Sequence, residues 1–167
     1  MPDIKYPYLP EGRTIEYVDQ LDVYINVARI YAKHRSLDKT MPGAAVIIRD
    51  LEMLGFGANG SDHHEKHGCE RVRLGCPTGQ GYELCEGCHP KNHSEPRAIQ
   101  NARDQGYDPR GADLYLWGHW WCCKWCWDAM IEAGIARVFL MEGSEVLFNR
   151  EHPDNIVGRQ FKFFKTG

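Results

Sequence analysis

The chain has 167 residues, enough for one hydrophobic core, so we expect a single domain over residues 1–167. Its net charge of −3 argues against nonspecific electrostatic binding of nucleic acid, although it does not exclude a local basic groove. No apolar run approaches the ~20 residues of a membrane span, and the first residues lack the features of a signal peptide. We therefore expect a cytoplasmic protein without membrane contact.

The first half of the chain predicts an arm, a helix and a hairpin. Residues 1–13 contain three prolines and little periodicity, which predicts an extended arm. From Thr14 apolar residues recur at helical spacing, which predicts an amphipathic helix with Thr14 as its N-cap. Its apolar positions are Ile15, Val18, Leu21, Ile25, Ala28 and Ala32. Residues 44–48 and 51–57 then have the pattern of two adjacent strands with a tight connection, a β-hairpin.

Residues 61–92 predict a metal-stabilised insertion. They carry few large apolar side chains, and a stretch of this length without its own core needs another source of stability. The spacing of four cysteines predicts a structural zinc site; free thiols in a loop are the alternative. The four are Cys69, Cys76, Cys85 and Cys88. Competing ligands are His63, His64, His67 and His89.

The second half predicts a strand, helix and strand in sequence. A helix from Glu95 to Gly106 precedes a strand at 112–117, a helix at 123–133 and a strand at 137–141. This order predicts a crossover connection with parallel strand pairing. In the tail, residues 146–148 have the pattern of a short strand. Residues 160–165 alternate aromatic and basic side chains, which favours an edge strand or subunit contact over a stacking platform for nucleic acid.

The strongest chemical signal lies between His93 and Cys126. His93, Cys123 and Cys126 provide three ligands for a tetrahedral zinc and leave the fourth position open for water, as catalytic zinc sites do. Glu95 lies two residues after His93, where its carboxylate can exchange protons with that water and with a substrate. The alternative is a purely structural zinc that takes His119 or Cys122 as its fourth ligand.

These residues resemble the signature of the zinc-dependent cytidine deaminase superfamily, His-x-Glu followed by Pro-Cys-x-x-Cys. Within it, the stretch 126–135 and the Gly57-Ala58-Asn59-Gly60 turn are most similar to deoxycytidylate deaminases. The resemblance implies a three-layer α/β/α fold of the cytidine deaminase type, with a mixed sheet of about five strands. It also implies a sugar contact for Asn59, a structural zinc in the insertion and a homo-oligomer. Cys122 replaces the signature proline, and Arg97 stands where deoxycytidylate deaminases usually have asparagine.

The function predicted is hydrolytic deamination of a cytosine nucleotide, dCMP to dUMP, with one catalytic Zn²⁺ and a second structural Zn²⁺. Arg97 could pair with a carboxylate or bind the substrate phosphate, and Trp120 or Trp121 is the expected wall against the base. One rival is a deaminase acting on cytosine or adenine in single-stranded DNA or RNA. The other is a non-catalytic, zinc-stabilised binding module on the same fold.

Overall fold

A computed structural model describes residues 4–164 of the protein, and its centre is a five-stranded mixed sheet. The strands lie in the order β1-β5-β4-β2-β3 across the sheet. Their bounds are β1 (Ile15–Val18), β2 (Ala44–Arg49), β3 (Glu52–Ala58), β4 (Asp113–Trp117) and β5 (Arg137–Met141).

The strand pairing follows the predicted connections. Strands β1, β5 and β4 run parallel, whereas β2 is antiparallel to both of its neighbours, β4 and β3. The tight connection between β2 and β3 makes the expected hairpin, and the crossover between β4 and β5 gives the expected parallel pair. The three-layer α/β/α prediction with a mixed sheet is confirmed.

Helices cover both faces of this sheet. Helix α1 packs against β2, β3 and β4 on one face, and α4 and α5 lie side by side on the other. The helices are α1 (Val23–Arg35), α2 (His63–His67), α3 (Glu70–Leu74), α4 (Ser94–Asp104), α5 (Lys124–Ala133), α6 (Ser144–Leu147) and α7 (Gln160–Phe163). Short 3-10 turns occupy Tyr82–Leu84 and Pro90–Asn92. Among residues 4–164, every helix is too short or too polar to cross a membrane.

The alternation of side chains along each strand divides the core into two layers. On β2, Ala45 and Ile47 face the α4–α5 layer, while Ala44, Val46 and Ile48 face α1. Both sets are buried, so the run from Ala44 to Ile48 is apolar throughout.

The predicted helix from Thr14 is wrong in its first part. Ile15 to Val18 form β1, the edge strand beside β5, and the helix begins only at Val23. The reason is the cap: the Asp22 side chain accepts hydrogen bonds from the backbone N–H groups of Tyr24 and Ile25, at 2.9 and 3.0 Å. The helical spacing of Ile15 and Val18 is therefore incidental.

The tail is helical where strands were predicted. Residues 144–147 form α6 instead of a strand, and α7 replaces the predicted edge strand. Phe161 and Phe164 pack on the buried Trp117, with ring centroids 5.5 and 5.8 Å away. This apolar contact accounts for Phe161 and Phe164, whereas Phe163 is 55% exposed. Lys165, the last residue of the predicted strand, lies outside the described residues.

Two glycines allow α4 to lie close to the sheet. A Cβ atom placed on Gly55 would come within 2.6 Å of the Ala102 backbone nitrogen, and one on Gly57 within 2.4 Å of the Ala98 nitrogen. Since both neighbours are helix backbone, a side chain at either position can fit only if α4 moves. The position of α4 matters because its first residues belong to the metal centre described below.

We therefore expect Gly57→Ala to lower the free energy of unfolding by about 1–3 kcal/mol through overpacking. Thermal or urea unfolding measures this change. Val72→Ala is the control, because Val72 is 79% exposed and its truncation should have little effect. Equal stability of Gly57→Ala and the parent protein would contradict the close approach of α4.

Candidate metal centre and active site

Two helix N-termini converge to form the predicted metal centre. His93 is the N-cap residue of α4, and Cys123 is the N-cap residue of α5. The Cys123 sulfur accepts a hydrogen bond from the Cys126 backbone N–H at 3.4 Å. The free N–H groups and the positive end of the helix dipole favour a thiolate at this position.

The three predicted ligand atoms face one another. His93 Nδ1 lies 3.3 Å from Cys126 Sγ and 3.4 Å from Cys123 Sγ, and the two sulfurs are 3.1 Å apart. Two soft sulfurs and one imidazole nitrogen are a donor set that suits zinc. His119 and Cys122, the alternative fourth ligands, are not part of this group of ligand atoms among the described residues.

The pKa values of the two neighbouring thiols shift in opposite directions. A hydrogen bond with Cys126 and a further one with His93 lower the pKa of the Cys123 thiol to about 6. Burial raises the pKa of the Cys126 thiol well above its usual value. A bound cation would stabilise both sulfurs as thiolates and so lower the pKa of each thiol.

Glu95 lies on the first turn of α4 and is only 3% exposed. Its neighbour is Cys122, whose pKa is raised well above its usual value by burial and, next, by the nearby Glu95 carboxylate. The Cys122 thiol and the Glu95 carboxylate therefore lie near each other inside the protein. The sequence did not indicate a buried thiol beside Glu95, because the family signature has a proline at position 122.

The Asn59 side chain, for which the resemblance implies a sugar contact, makes several hydrogen bonds inside the protein. Its Oδ1 accepts hydrogen bonds from the Gly43 N–H at 2.9 Å and from the Ser36 hydroxyl at 2.5 Å. Its Nδ2 donates to the Met41 carbonyl at 2.8 Å and lies 3.3 Å from His119 Nε2. The Asn59 amide thus connects the turn that follows β3 to the segment between α1 and β2.

Arg97 is also committed to internal contacts. Its guanidinium donates to the Ala58 carbonyl at 2.8 Å and to Asn92 Oδ1 at 2.9 Å. Both acceptors are neutral, and among residues 4–164 no carboxylate pairs with Arg97. Arg97 joins the end of β3 to the segment that precedes His93.

The two tryptophans of the predicted base wall lie on different sides of the sheet. Trp121 packs against the core layer that contains the ligand cysteines, whereas Trp120 packs against the α1 layer. The Tyr6 ring of the N-terminal arm contacts the Trp121 ring at a tilt of 39°, with centroids 4.3 Å apart. The Tyr82 ring meets the His93 ring edge-on, with centroids 4.9 Å apart. Sequence reasoning missed both tyrosines because they are far from His93 in the chain or in a segment without a regular pattern.

A second group of ligand atoms lies in the insertion. His64 Nε2 is 3.3 Å from Cys85 Sγ and 3.5 Å from Cys88 Sγ, and Cys69 Sγ is 3.7 Å from Cys88 Sγ. Three sulfurs and one imidazole are a common donor set of structural zinc sites. Cys85 also belongs to an overlapping group with His63 and Glu70.

Cys76, one of the four cysteines predicted for a structural zinc, lies outside this group of ligand atoms. Cys69 is the N-cap of α3, whereas Cys76 follows Gly75, the left-handed C-cap of the same helix. The five-residue helix separates the two cysteines by roughly 7 Å along its axis. His64, one of the competing ligands considered from the sequence, takes the fourth position.

Comparisons with known proteins agree with the ligand pattern. The family model described as the cytidine and deoxycytidylate deaminase zinc-binding region matches residues 19–142. No curated protein matches the chain at a significant level.

Several solved structures are similar at low identity. The dCMP deaminase of cyanophage S-TIM5 aligns with a TM-score of 0.48 and 17% identity, over 76% of this chain and 87% of its own. The diaminohydroxyphosphoribosylaminopyrimidine deaminase/5-amino-6-(5-phosphoribosylamino)uracil reductase of Thermotoga maritima has a TM-score of 0.45 and 21% identity, over 85% of this chain and 33% of its own. The guanine deaminase of Bacillus subtilis has a TM-score of 0.44 and 20% identity, over 70% of this chain and 60% of its own.

The contacts of Asn59 generate a test of its role. Asn59→Ala leaves the buried Gly43 N–H without its acceptor, so we expect the free energy of unfolding to fall by about 1–3 kcal/mol. Chemical denaturation measures it, with Gln100→Ala, an exposed amide on α4, as the control. A variant as stable as the parent that has lost only substrate affinity would instead support a direct sugar contact.

Proposed function

The chain belongs to the family of cytidine and deoxycytidylate deaminase zinc-binding regions, and we propose that it deaminates a cytosine nucleotide, converting dCMP and water to dUMP and ammonia. The observation that carries this proposal is the grouping of His93, Cys123 and Cys126 beside the buried carboxylate of Glu95. Three ligands leave a coordination position for water, and a carboxylate two residues from the ligand histidine has no structural duty there.

In this proposal His93, Cys123 and Cys126 hold the catalytic zinc, which when bound makes a water molecule more acidic and more reactive at neutral pH. Glu95 takes a proton from the water and delivers it to the ring nitrogen next to the reacting carbon. The carbon then accepts the water oxygen. Glu95 carries a second proton to the amino group, which leaves as ammonia, so one carboxylate serves as base and then as acid.

The surroundings of Glu95 suit a carboxylate that transfers protons between water and substrate. The carboxylate lies near the neutral Cys122 thiol, and its burial excludes bulk water that would compete for its protons. Trp121, which packs on the same core layer as the ligand cysteines, is the aromatic side chain that we assign to the wall of the base pocket. We assign Asn59 and Arg97 to positioning the loops around the pocket, on account of their internal hydrogen bonds.

We further propose a structural zinc held by His64, Cys69, Cys85 and Cys88. Helices α2 and α3 of the insertion have five residues each and no buried residue, so side-chain packing alone gives them little stability. A closed four-ligand site would supply that stability.

The nucleotide is favoured over a nucleic-acid substrate for two reasons. The chain is acidic overall, and two of the tail aromatics pack on Trp117 instead of facing solvent. A binding module without catalysis would have no use for the buried Glu95. The homo-oligomer that the resemblance implies remains a prediction that light scattering would test. The cytoplasmic location remains a prediction that cell fractionation would test.

The activity test is ammonia release by the zinc-loaded protein with dCMP, CMP, deoxycytidine, cytosine and a short cytosine-containing single strand. We expect turnover of dCMP, and a fall of about 10²–10⁴-fold in Glu95→Gln, because the amide cannot carry protons. Glu132→Gln is the matched control, since this glutamate is exposed on the neighbouring helix α5. Zinc content should be equal in all three proteins.

Three other results would change the assignment. Turnover of the single strand alone would make the protein a nucleic-acid deaminase. Turnover of dCMP that survives in Glu95→Gln would remove the proton-carrying role of Glu95. Inactivity of the zinc-loaded protein toward every compound, equal to that of Glu95→Gln, would favour the binding module.

A further inference from the structure

The two groups of ligand atoms meet at one residue, Cys88. Its sulfur belongs to the group in the insertion, 3.5 Å from His64 Nε2 and 3.7 Å from Cys69 Sγ. Its backbone carbonyl accepts a hydrogen bond from His93 Nε2 at 3.1 Å. One residue therefore contacts both centres, with its side chain on one and its main chain on the other.

The contact to His93 decides which ring nitrogen can bind a metal. A carbonyl oxygen only accepts hydrogen bonds, so Nε2 must carry the proton. The lone pair is then on Nδ1, the atom that faces Cys123 and Cys126. In metal sites, the partner of the second ring nitrogen fixes the tautomer and the orientation of the ligand histidine.

Two more carbonyls of the same turn support the residue before His93. The Asn92 side-chain amide donates to the carbonyls of Glu86 and Gly87, at 2.7 and 3.3 Å. Three successive carbonyls, from residue 86 to residue 88, thus point at Asn92 and His93. The other end of the Asn92 amide accepts from Arg97, which fixes it to α4 and to the end of β3.

Arg71 makes a second link between the centres. Its guanidinium donates to Cys88 Sγ at 3.7 Å and lies over the Tyr82 ring, 4.4 Å from the centroid. The Tyr82 ring in turn meets the His93 ring edge-on. Cys88 therefore contacts the His93 ring directly through its carbonyl, and indirectly through Arg71 and Tyr82.

We propose that metal binding in the insertion positions His93, so that occupancy of the second site controls how firmly the catalytic zinc is held. The proposal rests on the two zinc sites of the proposed function. A metal on Cys85 and Cys88 fixes the turn between them, and the fixed turn keeps its carbonyls aimed at Asn92 and His93. Cys88 and Asn92 are positioning residues in this scheme. Removal of such outer partners typically weakens metal binding 10–100-fold.

The test follows zinc release, not turnover. Wild-type protein, Cys69→Ser and Cys76→Ser are loaded with zinc, desalted and mixed with excess chelator, and released zinc is recorded over time. Cys76→Ser is the matched control, a cysteine of the same insertion outside the ligand group. A Cys123→Ser variant identifies the catalytic release phase, which should be lost or greatly accelerated in it.

We expect two zinc ions per chain in the wild type and in Cys76→Ser, and one in Cys69→Ser. The remaining ion of Cys69→Ser should leave about 10–100-fold faster than the catalytic zinc of the wild type. Release at the wild-type rate would overturn the coupling and leave the proposed function intact. A single zinc in the wild type would instead refute the second site itself.

Asn92→Ala tests the proposal even if Cys69→Ser fails to fold, because Asn92→Ala keeps the ligands of both proposed zinc sites. We expect it to bind two zinc ions, to release the catalytic zinc faster and to release the other at the wild-type rate. Circular dichroism checks that its fold is retained. Unchanged release of both ions would mean that the turn carbonyls do not position His93, and would overturn the proposal.

Discussion

The whole metal centre depends on the close approach of α4 to β3. Gly55 and Gly57 let the helix backbone lie against the strand, and this fixes where the first turn of α4 begins. His93 and Glu95 are placed by that turn, while the N-terminus of α5, on the same face of the sheet, supplies Cys123 and Cys126. Since a helix is stiff over its length, a small shift at either glycine would move the ligand histidine away from both sulfurs.

The sequence was sufficient where a residue type and its spacing carry the chemistry. The separation of three residues between Cys123 and Cys126, together with the more distant His93, led directly to the group of ligand atoms that the structure brings together. The hairpin and the parallel pair were also predictable, because apolar strands and short connections leave few other arrangements. These features are local, or are determined by topology alone.

The errors concern choices that depend on distant contacts. Ile15 and Val18 have helical spacing, yet the helix begins only after its N-cap residue Asp22. The residues before it pair with the edge of β5 and form a strand. The sequence grouped Cys76 with the other cysteines of the insertion, whereas the structure groups His64 with them, because α3 separates Cys76 from Cys69. Asn59 and Arg97 are polar residues near a site, and the sequence could not tell whether they face substrate or build the walls.

The turn from Cys85 to Cys88 also bears on how such a protein can evolve. Surface insertions are ordinarily easy to lose, because their backbone supports nothing beyond themselves. Here deletion of residues 61–91 would remove the acceptors of His93 Nε2 and of the Asn92 amide in one step. A descendant without the insertion would need new acceptors at the same moment, so the segment is expected to persist in this lineage while its exposed residues, such as Val72 and Leu84, drift freely.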